Sequence, residues 1–162
     1  MIHTPYYSFT RPADTTAYTS GDIVANSTTA ASITPLSWAV GAVGASGIIR
    51  AVRLYKSATG VTAASFRVHL FTASPGTPTN GDNGAYGVAS VADYLDTVAI
   101  DLSSGAQVGG TTGAAKRSAA TAIGFKLPVV SDKLYGLIDV QGAYTPASGE
   151  TFRVTLEIEP AN

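Results

Sequence analysis

The clearest pattern along the chain is an alternation of apolar and polar residues, which is typical of a β-strand with one buried face. Residues 151–159 show it best: every second residue from Phe152 to Ile158 is apolar, and the residues between them are polar or charged. Pro160 ends the run because proline cannot donate a hydrogen bond to a neighbouring strand. We therefore predict a strand here, with its apolar side chains in the core.

A second alternating run lies in residues 66–70, where the apolar residues are predicted to face inward and Arg67 and His69 outward. Helical periodicity is nearly absent from the rest of the chain, and shorter apolar runs predict further strands. These weaker strands cover residues 21–33, 36–40, 47–56, 94–102, 119–127 and 133–141. The pattern thus predicts about eight strands.

The segments between the predicted strands are rich in Gly, Pro, Asn and Thr, which are residues that favour turns. The longest are residues 74–84, 103–113 and 144–150. Many short strands joined by such turns predict an all-β fold, an antiparallel two-sheet sandwich with eight strands in a jelly-roll arrangement. An immunoglobulin-like sandwich is the alternative, although its Cys…Trp…Cys spacing is missing. We assign residues 21–162 to this single domain.

The first twenty residues differ from the rest because they are aromatic and proline-rich without alternation. We predict that residues 1–20 form an extended N-terminal arm. The arm either lies back on its own sandwich or reaches onto a neighbouring subunit. Aromatic residues and arginine are enriched at the centres of protein interfaces. Tyr6, Tyr7, Phe9 and Arg11 are therefore the candidate protein-contact residues.

Composition narrows the classes of function. The chain has 162 residues, no cysteine, 13% charged residues and a formal net charge of −1. Without cysteine there are no disulfides, thiolate metal sites or cysteine nucleophiles. A near-neutral charge argues against nucleic-acid binding, which needs clustered Lys and Arg. The longest weakly apolar stretch, residues 36–49, is too short to span a membrane. A surface so poor in charge favours contact with another protein.

Few residues in the chain could carry out catalysis. The two histidines are His3, in the arm, and His69, on the polar side of a predicted strand, where we expect it to be solvated or to face a partner. Asp93 and Asp96 could form a glycosidase pair, but solvated residues at the start of a strand are the simpler interpretation. We therefore predict a protein that is not an enzyme, has no catalytic residues and uses no cofactor.

Three further segments have a simple structural interpretation beside a functional one. Residues 80–84, Asn-Gly-Asp-Asn-Gly, resemble part of a calcium loop but lack its later acidic ligands, so we predict turns and no metal site. Residues 41–47 are glycine-rich, and no helix is predicted after them to hold a phosphate. Lys116 and Arg117, predicted to lie in or beside a loop, are either solvated or in contact with an acidic patch of a partner.

Several segments, in order along the chain, resemble structural proteins of tailed bacteriophages. Residues 10–18, Thr-Arg-Pro-Ala-Asp-Thr-Thr-Ala-Tyr, and residues 21–24, Gly-Asp-Ile-Val, are similar to the beginning of such proteins. The Phe-Arg-Val-His-Leu-Phe of residues 66–71, with the proline-rich loop after it and residues 82–86, is similar to their middle. So is the later stretch, in which residues 134–138 lead to residues 142–152.

This resemblance implies a virion protein, and within that group we favour a capsid decoration (cement) protein. Such a protein is made in the cytoplasm of the bacterial host and binds the outer surface of the assembled capsid. Its partner is the major capsid protein, it self-associates as a dimer or trimer, and it contacts neither nucleic acid directly nor a membrane. The alternative is a tail, baseplate or host-glycan-binding component, for which Tyr86, Tyr94 and Tyr144 are candidate sugar-stacking residues.

Overall fold

The computed structural model describes residues 1–161, and in this range the chain forms eleven β-strands and one short 3₁₀ turn, Ala30–Ser32. Asn162, the last residue of the predicted domain, lies outside the described residues. The strands are β1 (Tyr6–Thr10), β2 (Ile23–Val24), β3 (Leu36–Ala39), β4 (Ser46–Lys56), β5 (Ser65–Phe71), β6 (Tyr94–Asp101), β7 (Gln107–Gly109), β8 (Gly113–Arg117), β9 (Ile123–Lys126), β10 (Lys133–Val140) and β11 (Thr151–Pro160).

The strands form two antiparallel sheets, which confirms the prediction of an all-β sandwich. The first sheet has the order β1-β11-β4-β8-β7, with β9 beside the other end of β4. The second sheet has the order β2-β10-β5-β6, with β3 following β2 along the same edge of β10. Eleven described strands exceed the predicted eight because β1, β7 and β8 were not predicted as strands.

The core lies between the sheets and is built from the apolar side of each alternating strand. The four apolar residues from Phe152 to Ile158 are all buried, as predicted, and pack against Phe66, Val68 and Leu70 of β5. Trp38 on β3 is fully buried, and its indole Nε1 donates to the Val154 carbonyl oxygen at 3.0 Å. This bond joins the two sheets, because β3 belongs to the second sheet and β11 to the first.

The predicted arm lies back on its own sandwich. Residues 6–10 pair with β11 as the edge strand of the first sheet, and the ring of Phe9 stacks on Phe152 at 5.7 Å. The strand does alternate between exposed and half-buried residues. The sequence hid this alternation because Tyr6 and Tyr7 are adjacent tyrosines, and tyrosine suits either face of a strand.

The outer faces of the two sheets differ, and we name them for that difference. The covered face belongs to the second sheet and carries Ile23, Arg67, His69, Leu137 and Asp139, over which the covering loop, residues 72–93, is folded. The open face belongs to the first sheet, where none of residues 1–161 forms such a loop over the central arginines, whose side chains are about half exposed. It carries Tyr6, Arg53, Tyr55, Arg117, Arg153, Thr155 and Glu157.

Candidate functional site

The four predicted contact residues do not share one surface. Tyr6 is 62% exposed on the open face. Tyr7 and Phe9 are half-buried, and both pack against the core. Arg11 follows β1 and is only 2% exposed, so its side chain faces the interior. Of the four, Tyr6 is therefore the residue best placed to meet a partner.

Arg11 joins the N-terminal segment to the covering loop through a buried polar cluster. Its Nη2 contacts Asp82 Oδ2 at 2.8 Å, and its Nε donates to the Tyr18 hydroxyl at 2.8 Å. The Tyr18 hydroxyl donates in turn to Asp82 Oδ1 at 2.7 Å, which also accepts the Ala25 amide. Burial, followed by the charge of Asp82, raises the pKa of Tyr18, so this phenol stays protonated. The cluster fixes the position of the covering loop.

The candidate calcium loop is thus used for structure. Asp82, its only acid, has both oxygens engaged by the protein. Asn80 donates to the Ala85 carbonyl, and Asn83 adopts φ 63° while its side chain donates to the carbonyls of Thr16 and Ala17. These are turn geometries that asparagine favours. Within residues 1–161, no group of three or more His, Cys, Asp or Glu is arranged to hold a metal ion.

His69 was predicted to be solvated or partner-facing, and this was wrong. The residue does point away from the core, but it is only 8% exposed because the ring of Tyr86 from the covering loop stacks on it at 4.2 Å. Nearby, Val88 packs on Ile23 and its apolar neighbours. Burial raises the pKa of Tyr86 to about 12, with the charge of Asp139 as the next cause. The loop that follows β5 therefore folds back and buries His69 on the polar side of that strand.

Asp139, His69 and Thr97 form a hydrogen-bonded chain that has the order of a catalytic relay. His69 Nε2 lies 3.1 Å from Asp139 Oδ1, and its Nδ1 lies 3.0 Å from Thr97 Oγ1. Burial acts to raise the pKa of Asp139, but hydrogen bonds from His69 and Arg67 outweigh it, so that pKa lies below its ordinary value. Tyr86 stacks on the His69 ring, and the Tyr94 hydroxyl is hydrogen-bonded to Thr97 Oγ1 at 2.6 Å. The geometry supports a structural role for the chain.

The residues considered for sugar binding and acid catalysis are dispersed. Tyr144 is buried in the core, where its hydroxyl donates to Glu150, so it offers no face to a ligand. Tyr86 is half-buried against His69, whereas Tyr94 is 45% exposed. The three tyrosines therefore do not form a platform. Asp93 and Asp96 are exposed, and Asp96 accepts the amide of Thr97, as expected for residues at the start of a strand.

The structure also shows where the basic pair and the glycine-rich segment lie. Lys116 and Arg117 were predicted in or beside a loop but lie in β8, paired with β4. The Lys116 ammonium donates to the carbonyls of Asp101 and Ser104. The glycine-rich segment 41–47 spans the connection from β3 to β4 and the first two residues of β4.

The register of five strands assembles the open face. Tyr6 of β1 lies opposite Thr155 of β11, which lies opposite Arg53 of β4, which lies opposite Arg117 of β8. One step along, the outward-facing residues are Ser8, Arg153, Tyr55, Ala115 and Gln107. Cross-strand neighbours of this kind lie about 5 Å apart, so residues far apart in sequence meet here.

Charge on the open face is unbalanced. Arg53 Nε contacts Glu157 Oε1 at 2.6 Å, and Arg117 Nη2 contacts Glu157 Oε2 at 2.7 Å. The hydrogen bonds from Arg117, with that from Arg53, lower the pKa of Glu157 to about 2, so one carboxylate is shared by two arginines. Arg153 adds a third positive charge beside them. The centre of this face is therefore cationic, although the whole chain carries −1.

These three arginines border a shallow depression with a volume of about 290 Å³. Thr155 and Tyr55 also line it. A larger groove, about 690 Å³, lies at the end of the sandwich beside Phe125 and Pro160, and nothing in the described residues indicates what would fill it. The depression on the open face combines space with charge and is therefore the better candidate for binding.

Arg53, Tyr55 and Arg153 are site residues that were not predicted from the sequence. The alternation in residues 151–159 does place Arg153 on the polar side of its strand, which is a usable signal. It does not show which strands flank β11 or in what register. Only the pairing of β11 with both β1 and β4 brings these side chains together.

No protein-family model matches the chain, and no curated protein matches it either. We therefore infer function from the geometry of the two faces and from the segment resemblance. Across residues 1–161, no helix is both long enough and apolar enough to cross a bilayer.

Proposed function

We propose that the chain is a structural virion protein that binds the outer surface of a tailed-phage capsid, and that it docks through the open face. The observation that carries the proposal is the contrast between the sheets. The chain uses its own loop to bury the outer face of the second sheet. It leaves the outer face of the first sheet exposed and lined with arginine and tyrosine, the residue types enriched in protein interfaces.

The topology supports the jelly-roll arrangement that we propose for the sandwich. If β2 and β3 count as one strand position and β7, β8 and β9 as another, eight positions remain. Their order is then 1-8-3-6 in the first sheet and 2-7-4-5 in the second. Positions 1 and 8, 2 and 7, 3 and 6, and 4 and 5 are neighbours, as in one long antiparallel ribbon rolled into two sheets. Jelly rolls of eight strands are frequent in viral capsid domains.

A capsid surface would suit the low charge and the open face together. A decoration protein binds in many copies, so each copy needs only a modest interface, and self-association as a dimer or trimer adds avidity. A typical specific interface buries about 800 Å² on each partner. The open face offers Tyr6 and partly exposed arginines to such an interface without rearrangement of the core.

Sedimentation tests the proposal directly. Purified protein is mixed with heads of the encoding phage that lack it, both before and after capsid expansion, and the heads are pelleted. We expect co-sedimentation that saturates at a fixed copy number on expanded heads. Retention in the supernatant with heads in every expansion state would contradict the proposal. Binding to tails or host glycans in its place would support the alternative virion role.

Two bulky substitutions test the docking face. Ser8→Trp places an indole on the exposed side of β1, on the open face. Ala147→Trp places one on an exposed loop between β10 and β11 and serves as the matched control. We expect the first variant to bind heads at least about tenfold more weakly, because a bulky ring beside Arg153 prevents close contact with this part of the open face. The control should bind like wild type.

A further inference from the structure

Arg153 differs from the other arginines because it has no carboxylate partner within residues 1–161. The partners of the others are Asp14 and Asp82 for Arg11, Glu159 for Arg50, Glu157 for both Arg53 and Arg117, and Asp139 for Arg67. The nearest polar side-chain contact of Arg153 is a long one, from its Nε to Ser8 Oγ at 3.4 Å. Its terminal nitrogens are therefore available to a ligand.

Two tyrosine rings hold the Arg153 guanidinium in place. Its Cζ lies 4.8 Å from the centroid of Tyr6 and 6.0 Å from that of Tyr55, within the range of cation–π attraction. An arginine held in this way loses less side-chain freedom when a ligand binds, because part of that freedom is already lost. Tyr6 lies on β1 and Tyr55 on β4. The two rings therefore flank Arg153 only when the N-terminal strand β1 is paired with β11.

The depression beside Arg153 has the size and charge for a small anion. Its volume is about 290 Å³, and Arg53 and Arg117 lie along the same depression. The face carries three guanidinium groups but one carboxylate, Glu157, which Arg53 and Arg117 already share. An incoming carboxylate would reduce this excess of positive charge and could accept two parallel N–H bonds from Arg153, the geometry that favours arginine over lysine.

We propose that this depression binds the carboxylate of an Asp or Glu side chain in an acidic segment of the partner protein, with Arg153 as the main donor. The capsid as the source of that segment rests on the proposed function, whereas the carboxylate chemistry rests on the geometry alone. A protein carboxylate fits better than a nucleic-acid backbone. Phosphate chains need several unpaired cations in a row, and Glu157 places a negative charge in the middle of this face.

Fluorescence anisotropy with a labelled hexaglutamate peptide at low salt tests the site. We expect wild type to bind it, hexaglutamine to fail, and Arg153→Gln to weaken the hexaglutamate complex about tenfold, as for an interface arginine. Arg50→Gln is the matched control, because Arg50 lies on the adjacent strand but is paired with Glu159. It should change the affinity less than about twofold. Thermal melts must show that both variants are folded.

Three results would overturn the inference. The first is equal weakening by the Arg153 and Arg50 variants. The second is tighter binding of a short oligothymidylate than of hexaglutamate, which would indicate a phosphate site. The third is self-association of wild type in ultracentrifugation that Arg153→Gln abolishes, which would make a second copy the occupant.

Binding to heads separates this inference from the proposed function. If wild type and Arg153→Gln bind heads equally, the capsid is not the source of the carboxylate, while the proposed function stands. If neither binds heads but hexaglutamate binding still depends on Arg153, the proposed function is wrong while the carboxylate site stands.

Discussion

The covered and open faces start from the same kind of sequence and end in different environments. His69 on β5 and Arg153 on β11 both sit on the polar side of an alternating strand. His69 is buried beneath Tyr86 of the covering loop, whereas Arg153 remains exposed between two tyrosines. Alternation therefore shows which residues leave the core, but not whether another part of the chain covers them.

The two faces are also expected to differ in role: the covered face contributes mainly to stability, and the open face mainly to binding. On the covered face, Asp139 is fully buried and has hydrogen bonds from three side chains, those of Arg67, His69 and Gln141. On the open face, Glu157 contacts arginines that are about half exposed. Loss of a buried charge partner is much more destabilising than loss of an exposed one. We therefore expect substitutions on the covered face to unfold the protein, and those on the open face to alter binding.

The largest effect is expected from Asp139→Ala. It leaves His69 and Arg67 without their shared carboxylate beneath the covering loop, and we expect a loss of about 3 to 4 kcal/mol in the free energy of unfolding. Urea denaturation measures this loss. The corresponding open-face variant, Glu157→Gln, should lose about 1 kcal/mol. Equal losses in the two variants would contradict the distinction between the faces.

The next effect concerns the fit of the covering loop. A Cβ at Gly81 would lie 1.9 Å from the Thr28 carbonyl oxygen, so Gly81→Ala must displace the backbone. We expect a loss of about 2 to 3 kcal/mol, as for an overpacked interior. The amides of β2 and β10 should also exchange hydrogen faster. Gly124→Ala on β9 is the control, because a Cβ there meets nothing within 4 Å. A Gly81→Ala variant as stable as this control would show that the loop is not held tightly.

The smallest effect is the pH dependence contributed by Glu157. Its pKa is about 2 in the folded state against an ordinary value of 4.5, so ionised Glu157 stabilises the fold above about pH 4.5. This contribution is lost as the pH falls from about 4.5 to 2, when the folded carboxylate becomes protonated. The stability difference between wild type and Glu157→Gln should therefore be constant near neutral pH and shrink through this window. A difference that grows on acidification would contradict the assignment.

Much of the fold could be predicted from the sequence. Strands β4, β5, β6, β10 and β11 lie where alternation or apolar runs predicted them, because strand burial follows directly from side-chain polarity. Strands β7 and β8 were missed because residues 107–117 contain mostly Gly, Ala and Thr, which give no apolar alternation. Residues 21–33 were predicted as one strand but contain only the two-residue strand β2 and the 3₁₀ turn. Most of their backbone hydrogen bonds go to the covering loop or close local turns.

The candidate site could be predicted only in part. Tyr6 was identified because the N-terminal segment is rich in aromatic residues. Arg153 was placed correctly on the side of its strand that faces away from the core. Their contact depends on the pairing of β1 with β11, a long-range register that no local pattern encodes. Arg11 shows the converse problem. An arginine beside aromatic residues looked like a surface contact, but its buried partner Asp82 lies 71 positions away along the chain.

Hydroxyl-radical footprinting of the head-bound and unbound chain tests the central claim, that the open face docks and the covered face does not. We predict that Tyr6 and Tyr55 lose reactivity on binding to heads, because both lie beside Arg153 on the open face. Tyr94, exposed at the edge of the second sheet, should keep its reactivity. Protection of Tyr94 with unchanged Tyr6 and Tyr55 would contradict the account.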